Sequence, residues 1–286
     1  MPRPVSEDGP TALRRLGLVE ALENYFEVTD LGDLQVPRPQ TGAGPGPLLE
    51  QVLATAEVQA GTFTSSYTAD CLPITLGGDH TTSLGTALAL TQLGLSFDVV
   101  WLDAHGDFNT PFTSASGNPH GMVLALLAGL TPYLRQTVPH WRLHLWGVRD
   151  LDHGERQLLE ALGVQVRDVA AVRAGWPELL KSLGPNVLVS FDCDCCAPEV
   201  APGTMTPVPG GFGRAEALRL VQEVGKRRRV LALDVVEFHP DRDCHDRTAR
   251  LACDVATTVA AAQARQRSAR PPARVRRRAS ATRRCG

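Results

Sequence analysis

The chain has 286 residues, 43% of them apolar, and a formal charge of −2, enough for one large core or two small ones. Its longest strongly apolar run, residues 122–130, is too short to cross a membrane, and its first ten residues lack the apolar centre of a secretion signal; a cytoplasmic protein is expected. The seven cysteines are odd in number, three crowd at positions 193, 195 and 196, and the one Cys-x-x-Cys spacing has no second pair, which argues against a disulfide framework or a cysteine-rich zinc site.

Short runs rich in Val, Ile and Leu alternate with longer Ala- and Leu-rich segments, the pattern of a mostly parallel sheet covered by helices on both faces. In chain order the expected elements are a helix over 47–60, a strand over 73–76, a helix over 81–93, a strand over 98–102 and a helix over 121–128. There follow a strand over 142–146, a helix over 154–161, a strand over 164–167 and a helix over 177–183. Last come a strand over 186–191, a helix over 214–226, a strand over 230–235 and a helix over 248–266. The near-continuous apolar character of the strands fits burial on both faces. Residues 1–263 are therefore expected to form a single three-layer α/β/α domain. Residues 264–286 read as a disordered basic tail, because nine arginines and no acid fall between positions 265 and 284 without apolar periodicity. No aromatic residue is interleaved there to stack on bases, so the tail is read as a solvated appendage and not as a nucleic-acid site.

The polar groups of interest cluster just past strand ends. His80 closes Gly-Gly-Asp-His; Asp103, His105 and Asp107 alternate in Asp-Ala-His-Gly-Asp; Asp192 and Asp194 end Ser-Phe-Asp-Cys-Asp. Asp150 and Glu237 lie beyond two further strands. In an open α/β sheet the ligand crevice lies outside the carboxyl ends of the strands, so these distant residues are expected to meet. Four carboxylates and two imidazoles exceed what one ion needs, and acids packed without cations would repel. They suit two hard divalent ions, manganese better than a soft-ligand zinc site, with zinc, cobalt and iron left open. A pair of such ions can hold and activate a water near neutral pH.

These three motifs resemble the metal motifs of the ureohydrolases, and the stretch Asp-Ala-His-Gly-Asp-Phe-Asn-Thr-Pro-Phe-Thr-Ser-Ala-Ser-Gly-Asn-Pro-His over 103–120 is similar to the loop of the arginases within that family. The resemblance covers residues 9 to about 263 and implies an arginase-like fold with two Mn2+ per subunit. It implies that His80, Asp103, Asp107 and Asp192 hold one ion and that His105, Asp103, Asp192 and Asp194 hold the other. It also implies that Glu237 grips the guanidinium of L-arginine, with the Thr206 hydroxyl supporting that glutamate, and that His120 shuttles protons. Asn109, Ser114 and Ser116 would receive the substrate carboxylate, Asp152 and Glu155 would face its ammonium, and Asp150 would stand behind the metal site. The implied reaction gives L-ornithine and urea, in a homotrimer or homohexamer. Two other readings stay open: an agmatinase or another amidinohydrolase, and a metal-binding but inactive subunit.

The chain departs from the family at three places. Relatives carry an apolar strand and a Gly-rich loop ahead of the segment matching residues 6–14, so either the sheet lacks that strand and is rearranged, with an unprotected edge, or the chain is internal to a longer product. Ala197 stands where an aspartate is common, which bears on the order of that loop. Met205 stands where glycine is usual; if the position needs positive φ, methionine would strain the loop by about 1–2 kcal/mol and displace Thr206.

Overall fold

The apolar runs pair as one parallel sheet in the computed structural model, which describes residues 8–35 and 45–269. Two short helices, α1 (Gly9–Arg15) and α2 (Leu18–Leu22), precede the long α3 (Pro45–Ser66). Then come β1 (Ile74–Leu76), α4 (Thr82–Gln92), β2 (Asp98–Leu102), α5 (Val123–Leu127), β3 (Leu143–Trp146), α6 (His153–Leu162), β4 (Gln165–Arg167) and α7 (Val169–Ser182). The chain continues through β5 (Asn186–Asp192), α8 (Arg214–Arg227), β6 (Arg229–Val236) and α9 (Arg247–Ser268). The strand order is β1-β6-β5-β2-β3-β4, and every neighbouring pair is parallel. Among the described residues no strand precedes β1, and both edge strands are only three residues long, which leaves little open ladder for another chain to extend.

Side chains alternate across the sheet and feed two cores. Val100, Leu102, Val187, Val189, Phe191, Leu233 and Val235 face one side, against Leu13, Leu18 and Leu22 of the first two helices and the apolar faces of α7, α8 and α9. Val99, Trp101, Leu188 and Leu231 face the other, against α3 to α6. On the first side α8 and α9 approach closely because Gly225 has no side chain; a Cβ there would stand 2.9 Å from the Ala262 Cβ.

The register matters more for the site than the packing does. Leu102 pairs with Phe191, Phe191 with Val235 and Leu76 with Val235, so the carboxyl ends of β1, β6, β5 and β2 lie level. The connections run from β2 outward to β3 and β4 on one side and return to β5 and β6 on the other. The crevice between β2 and β5 is thus a topological switch point, where open α/β sheets bind ligands.

Three elements differ from the sequence reading. The helix expected over 177–183 begins at Val169, because the Asp168 carboxylate caps it by accepting the Ala171 N–H at 2.7 Å; Pro177 lies inside that helix and does not start it. The helix expected over 47–60 runs six residues further, to Ser66. The domain expected to end at 263 continues in α9 through residues 264–268. There the Gln266 amide donates to the Arg228 carbonyl at 3.3 Å, and the Arg267 guanidinium donates to the carbonyls of Asp70 and Cys71. The remainder of the basic segment lies outside the described residues. No helix among the described residues is long and apolar enough to cross a membrane.

Candidate active site

His80 marks the centre of the crevice. Its ring stacks on the Trp101 indole, with centroids 3.7 Å apart and planes 6° off parallel, and its Nε2 meets the Ser190 hydroxyl at 2.8 Å. That leaves Nδ1 facing Asp103 Oδ2 at 3.0 Å, Asp107 Oδ2 at 3.1 Å and Asp192 Oδ2 at 3.2 Å. None of the three completes a hydrogen bond to Nδ1, which is a buried, orphaned nitrogen. Beside it, His105 Nδ1 lies 3.3 Å from both Asp103 Oδ1 and Asp194 Oδ2. Donor atoms of His80, Asp103 and Asp107 can meet at one point, and those of Asp103, His105 and Asp194 at a second, with Asp103 common to both.

Local turns aim these groups. Asp103 Oδ1 accepts the His105 N–H and Asp192 Oδ1 accepts the Asp194 N–H, both at 2.7 Å, so each Asp-x-x turn folds back on its own first carboxylate. The Trp101 indole N–H holds Asp103 Oδ2 at 3.0 Å. Asp107 sits in the left-handed region, at φ 47°, a strained setting for a residue with a Cβ.

The charge balance asks for a cation. Among the described residues the salt bridges of Asp103, Asp107, Asp192 and Asp194 run to histidines alone. Burial and the Asp103 charge push Asp107 up to about 6, and burial with Asp194 and Asp103 raises Asp192 well above the carboxylate range. Burial works to lower His105, but contact with Asp103 and Asp194 pushes it up to about 12. His80 is raised against its burial by Asp103, Asp107 and Asp192. Protons are doing what metal ions would do better, and a set of carboxylate oxygens and imidazoles around an orphaned nitrogen fits hard divalent ions.

A cleft of about 210 Å³ opens from this cluster, lined by His105, Asp107, Asn109, Ser114, Ser116, His120, Gly121, Asp150, Asp152, Glu155, Asp192, Thr206 and Glu237. Glu237 also sits in the left-handed region, at φ 59°, and its Oε1 accepts the His80 N–H at 3.0 Å. His120 Nδ1 stands 3.8 Å from that oxygen. The Asn109 amide donates to Asp152 Oδ2 at 2.9 Å and accepts the Thr113 hydroxyl at 2.9 Å. Ser114 and Ser116 accept the N–H groups of Gly117 and Asn118, which rounds the loop on itself.

Several positions differ from expectation. Glu155, expected to face the substrate ammonium, is buried, and its two oxygens accept the N–H groups of Phe108 at 2.7 Å and Asp152 at 3.3 Å, tying the β2 loop to the start of α6. Burial above all pushes its pKa up to about 7. The Thr206 hydroxyl donates to Asp194 Oδ2 at 3.1 Å, where support of Glu237 was expected. Asp150 is exposed, 4.0 Å from His105 Nε2. Met205 is outside the left-handed region, so the expected backbone strain is absent and its side chain points out, 41% exposed.

Sequence reasoning passed over Arg149. Its guanidinium donates to the carbonyls of Asp194 at 2.8 Å, Val208 at 2.7 Å, Pro209 at 3.0 Å and Gly147 at 3.0 Å. It clamps the Asp194 turn to the loop that carries Thr206, which explains how that hydroxyl reaches Asp194. A bridge between Cys196 and Phe212 adds to the order of the loop around Ala197. The only sequence signal was an arginine inside Gly-Val-Arg-Asp at a strand end.

Comparison with known proteins places these features in context. A sequence model for the arginase family matches residues 1–262. The arginase of Brevibacillus brevis is 33% identical over 273 residues, covering 88% of this chain and 90% of that protein. The crystal structure of Bacillus caldovelox arginase superposes with a TM-score of 0.82 at 29% identity, covering 90% of this chain and 93% of the other. A hypothetical agmatinase from Burkholderia thailandensis superposes with a TM-score of 0.65 at 26% identity, over 76% of this chain and 67% of the other.

Proposed function

The chain belongs to the arginase family, hydrolases acting on guanidino compounds, and from that premise we propose that it converts L-arginine and water to L-ornithine and urea. The observation that carries this reading is a single cleft lined both by Glu237, beside the orphaned His80 nitrogen, and by the Asp152–Asn109 pair. A planar cation with a zwitterionic head needs acceptors at both ends and donors for its carboxylate.

His80, Asp103, Asp107 and Asp192 would hold one manganese ion, and His105, Asp103, Asp192 and Asp194 the other. When bound, the ions supply Lewis acidity that makes water a competent nucleophile near neutral pH. Glu237 receives paired, charge-assisted hydrogen bonds from the guanidinium and presents its carbon to the attacking water. Asp107 accepts a hydrogen bond from that water and takes up its proton. As the bond between that carbon and the ornithine nitrogen breaks, the nitrogen takes one proton from Asp107 and one from His120, which is recharged by the hydroxyl proton released as urea forms its carbonyl. At the far end Asn109, Ser114 and Ser116 receive the α-carboxylate, and Asp152 receives the α-ammonium. Glu155 acts there by fixing Asp152 and the β2 loop. Thr206 acts by orienting Asp194.

Urea release from L-arginine and from agmatine, in added manganese and after chelation, tests the reading. Turnover of arginine far above agmatine supports it. A preference for agmatine would transfer the chain to the second reading, which the agmatinase likeness favours, and no urea from either with metal bound would mark an inactive subunit. Family membership also supports a homotrimer or homohexamer, checked by light scattering.

A further inference from the structure

We infer that His239 is a positioning residue that holds Glu237 from behind, an inference that rests on the reading of Glu237 as the guanidinium anchor. His239 follows β6 by three residues and is 4% exposed. Its backbone N–H is spent on the Gly203 carbonyl at 2.8 Å, but both ring nitrogens are buried without a hydrogen-bond partner. A neutral imidazole carries one N–H, and a buried donor left unpaired is costly enough that native proteins seldom keep one.

The carboxylate that faces it is Glu237 itself: His239 Nε2 stands 3.6 Å from Oε2. The other oxygen, Oε1, already receives the His80 N–H at 3.0 Å. The two contacts serve different oxygens: that from His80 is a hydrogen bond, and that from His239, at 3.6 Å, is an approach longer than one. Such contacts are often long before substrate binds and tighten in the complex. The carboxylate also selects the tautomer. With the proton on Nδ1, the Nε2 lone pair would face an anion; with the proton on Nε2, the same approach becomes a charge-assisted hydrogen bond. Glu237 also sits on a left-handed backbone, a strained setting that surrounding contacts must hold.

The test compares His239→Phe, which removes the donor, with His239→Gln, which keeps one, in manganese-loaded protein. Metal content and melting temperature are measured alongside kcat and KM for L-arginine. The phenylalanine variant should lose roughly tenfold or more in kcat/KM, mainly through KM, with metal content unchanged. The glutamine variant should recover most of that loss, which a purely space-filling role would not allow. His239→Leu, with less bulk, replaces the phenylalanine variant if the latter does not fold. Donor-free variants within twofold of the parent, beside an inactive Glu237→Gln, would overturn the role of His239. Full activity in Glu237→Gln would overturn the anchor reading itself, and this inference with it.

Discussion

The backbone N–H of His80 donates to Glu237 Oε1 at 3.0 Å, across 157 positions of sequence. One short bond thereby joins the first candidate metal ligand to the carboxylate proposed to grip the substrate, and it exists because β1 and β6 are parallel neighbours in register, with Leu76 opposite Val235. Glu237→Gln keeps the shape and an acceptor for that N–H but loses the charge that faces the guanidinium. Its kcat/KM should fall roughly 30-fold to several thousandfold, matching about 2–5 kcal/mol for breaking a buried charged pair. Metal content, read by elemental analysis, should stay at the parent level, which separates loss of the anchor from loss of the ions.

Removal of a ligand should do the reverse. Asp103 touches both imidazoles, 3.0 Å from His80 and 3.3 Å from His105, and Asp192 lies 3.2 Å from His80. Asp103→Ala and Asp192→Ala should therefore release metal and abolish urea production together. The loss should exceed the roughly 10–100-fold that disturbing an outer-shell partner costs. A variant with full metal content and full turnover would remove these residues from the metal centre.

The far end of the cleft sets the substrate. Asp152 is held by the Asn109 amide at 2.9 Å, and agmatine, the decarboxylated counterpart of arginine, offers that end an ammonium but no carboxylate. Asp152→Ala should lower kcat/KM for L-arginine by roughly 10–100-fold, the span expected for a lost hydrogen bond to a charged group. Agmatine should lose a similar factor, whereas Ser116→Ala, at the carboxylate end, should lower turnover of L-arginine alone. Steady-state assays with the two substrates give both ratios directly, and an Asp152→Ala variant within twofold of the parent on both would place Asp152 in the scaffold instead.

The legibility of this site followed the range of each interaction. The strands around 98–102, 186–191 and 230–235 were readable because burial on both faces demands unbroken apolar runs, and His80, Asp103 and Asp192 were readable because alternating donors at a strand end have few structural uses. Helix α7 is misjudged from Pro177, since local propensity points to an N-terminal proline while the Asp168 cap nine residues earlier starts the helix. Arg149 and His239 were invisible for a different reason. Their partners are backbone carbonyls and a carboxylate oxygen brought near by register, and nothing in a linear sequence marks a carbonyl as an acceptor awaiting a guanidinium. Glu155 shows the same limit: the resemblance implies an acid facing the ammonium, and only the fold reveals the Phe108 N–H that it answers.

Stability without metal should fall as pH rises, and the metal-induced gain should grow over the same interval. Asp107, ordinarily near 3.8, is pushed up to about 6 by burial and the Asp103 charge, so between those values the folded chain keeps a proton that the unfolded chain has released. That contribution is complete below the lower value and lost as pH climbs through the higher one. His105, pushed up to about 12, adds the same sign further up: its stabilisation is complete below about 6.5 and declines above it. Divalent ions take over the role of those protons and bind better as the protons leave. Melting curves of chelated and manganese-loaded protein, from about pH 5 to about pH 8 at fixed ionic strength, should show the gap in Tm widening by several degrees, since about 1 kcal/mol moves a chain of this size by roughly 2–4 °C. A gap that stays flat or narrows toward alkaline pH would mean that the ions bind somewhere other than among Asp107, His105 and their neighbours.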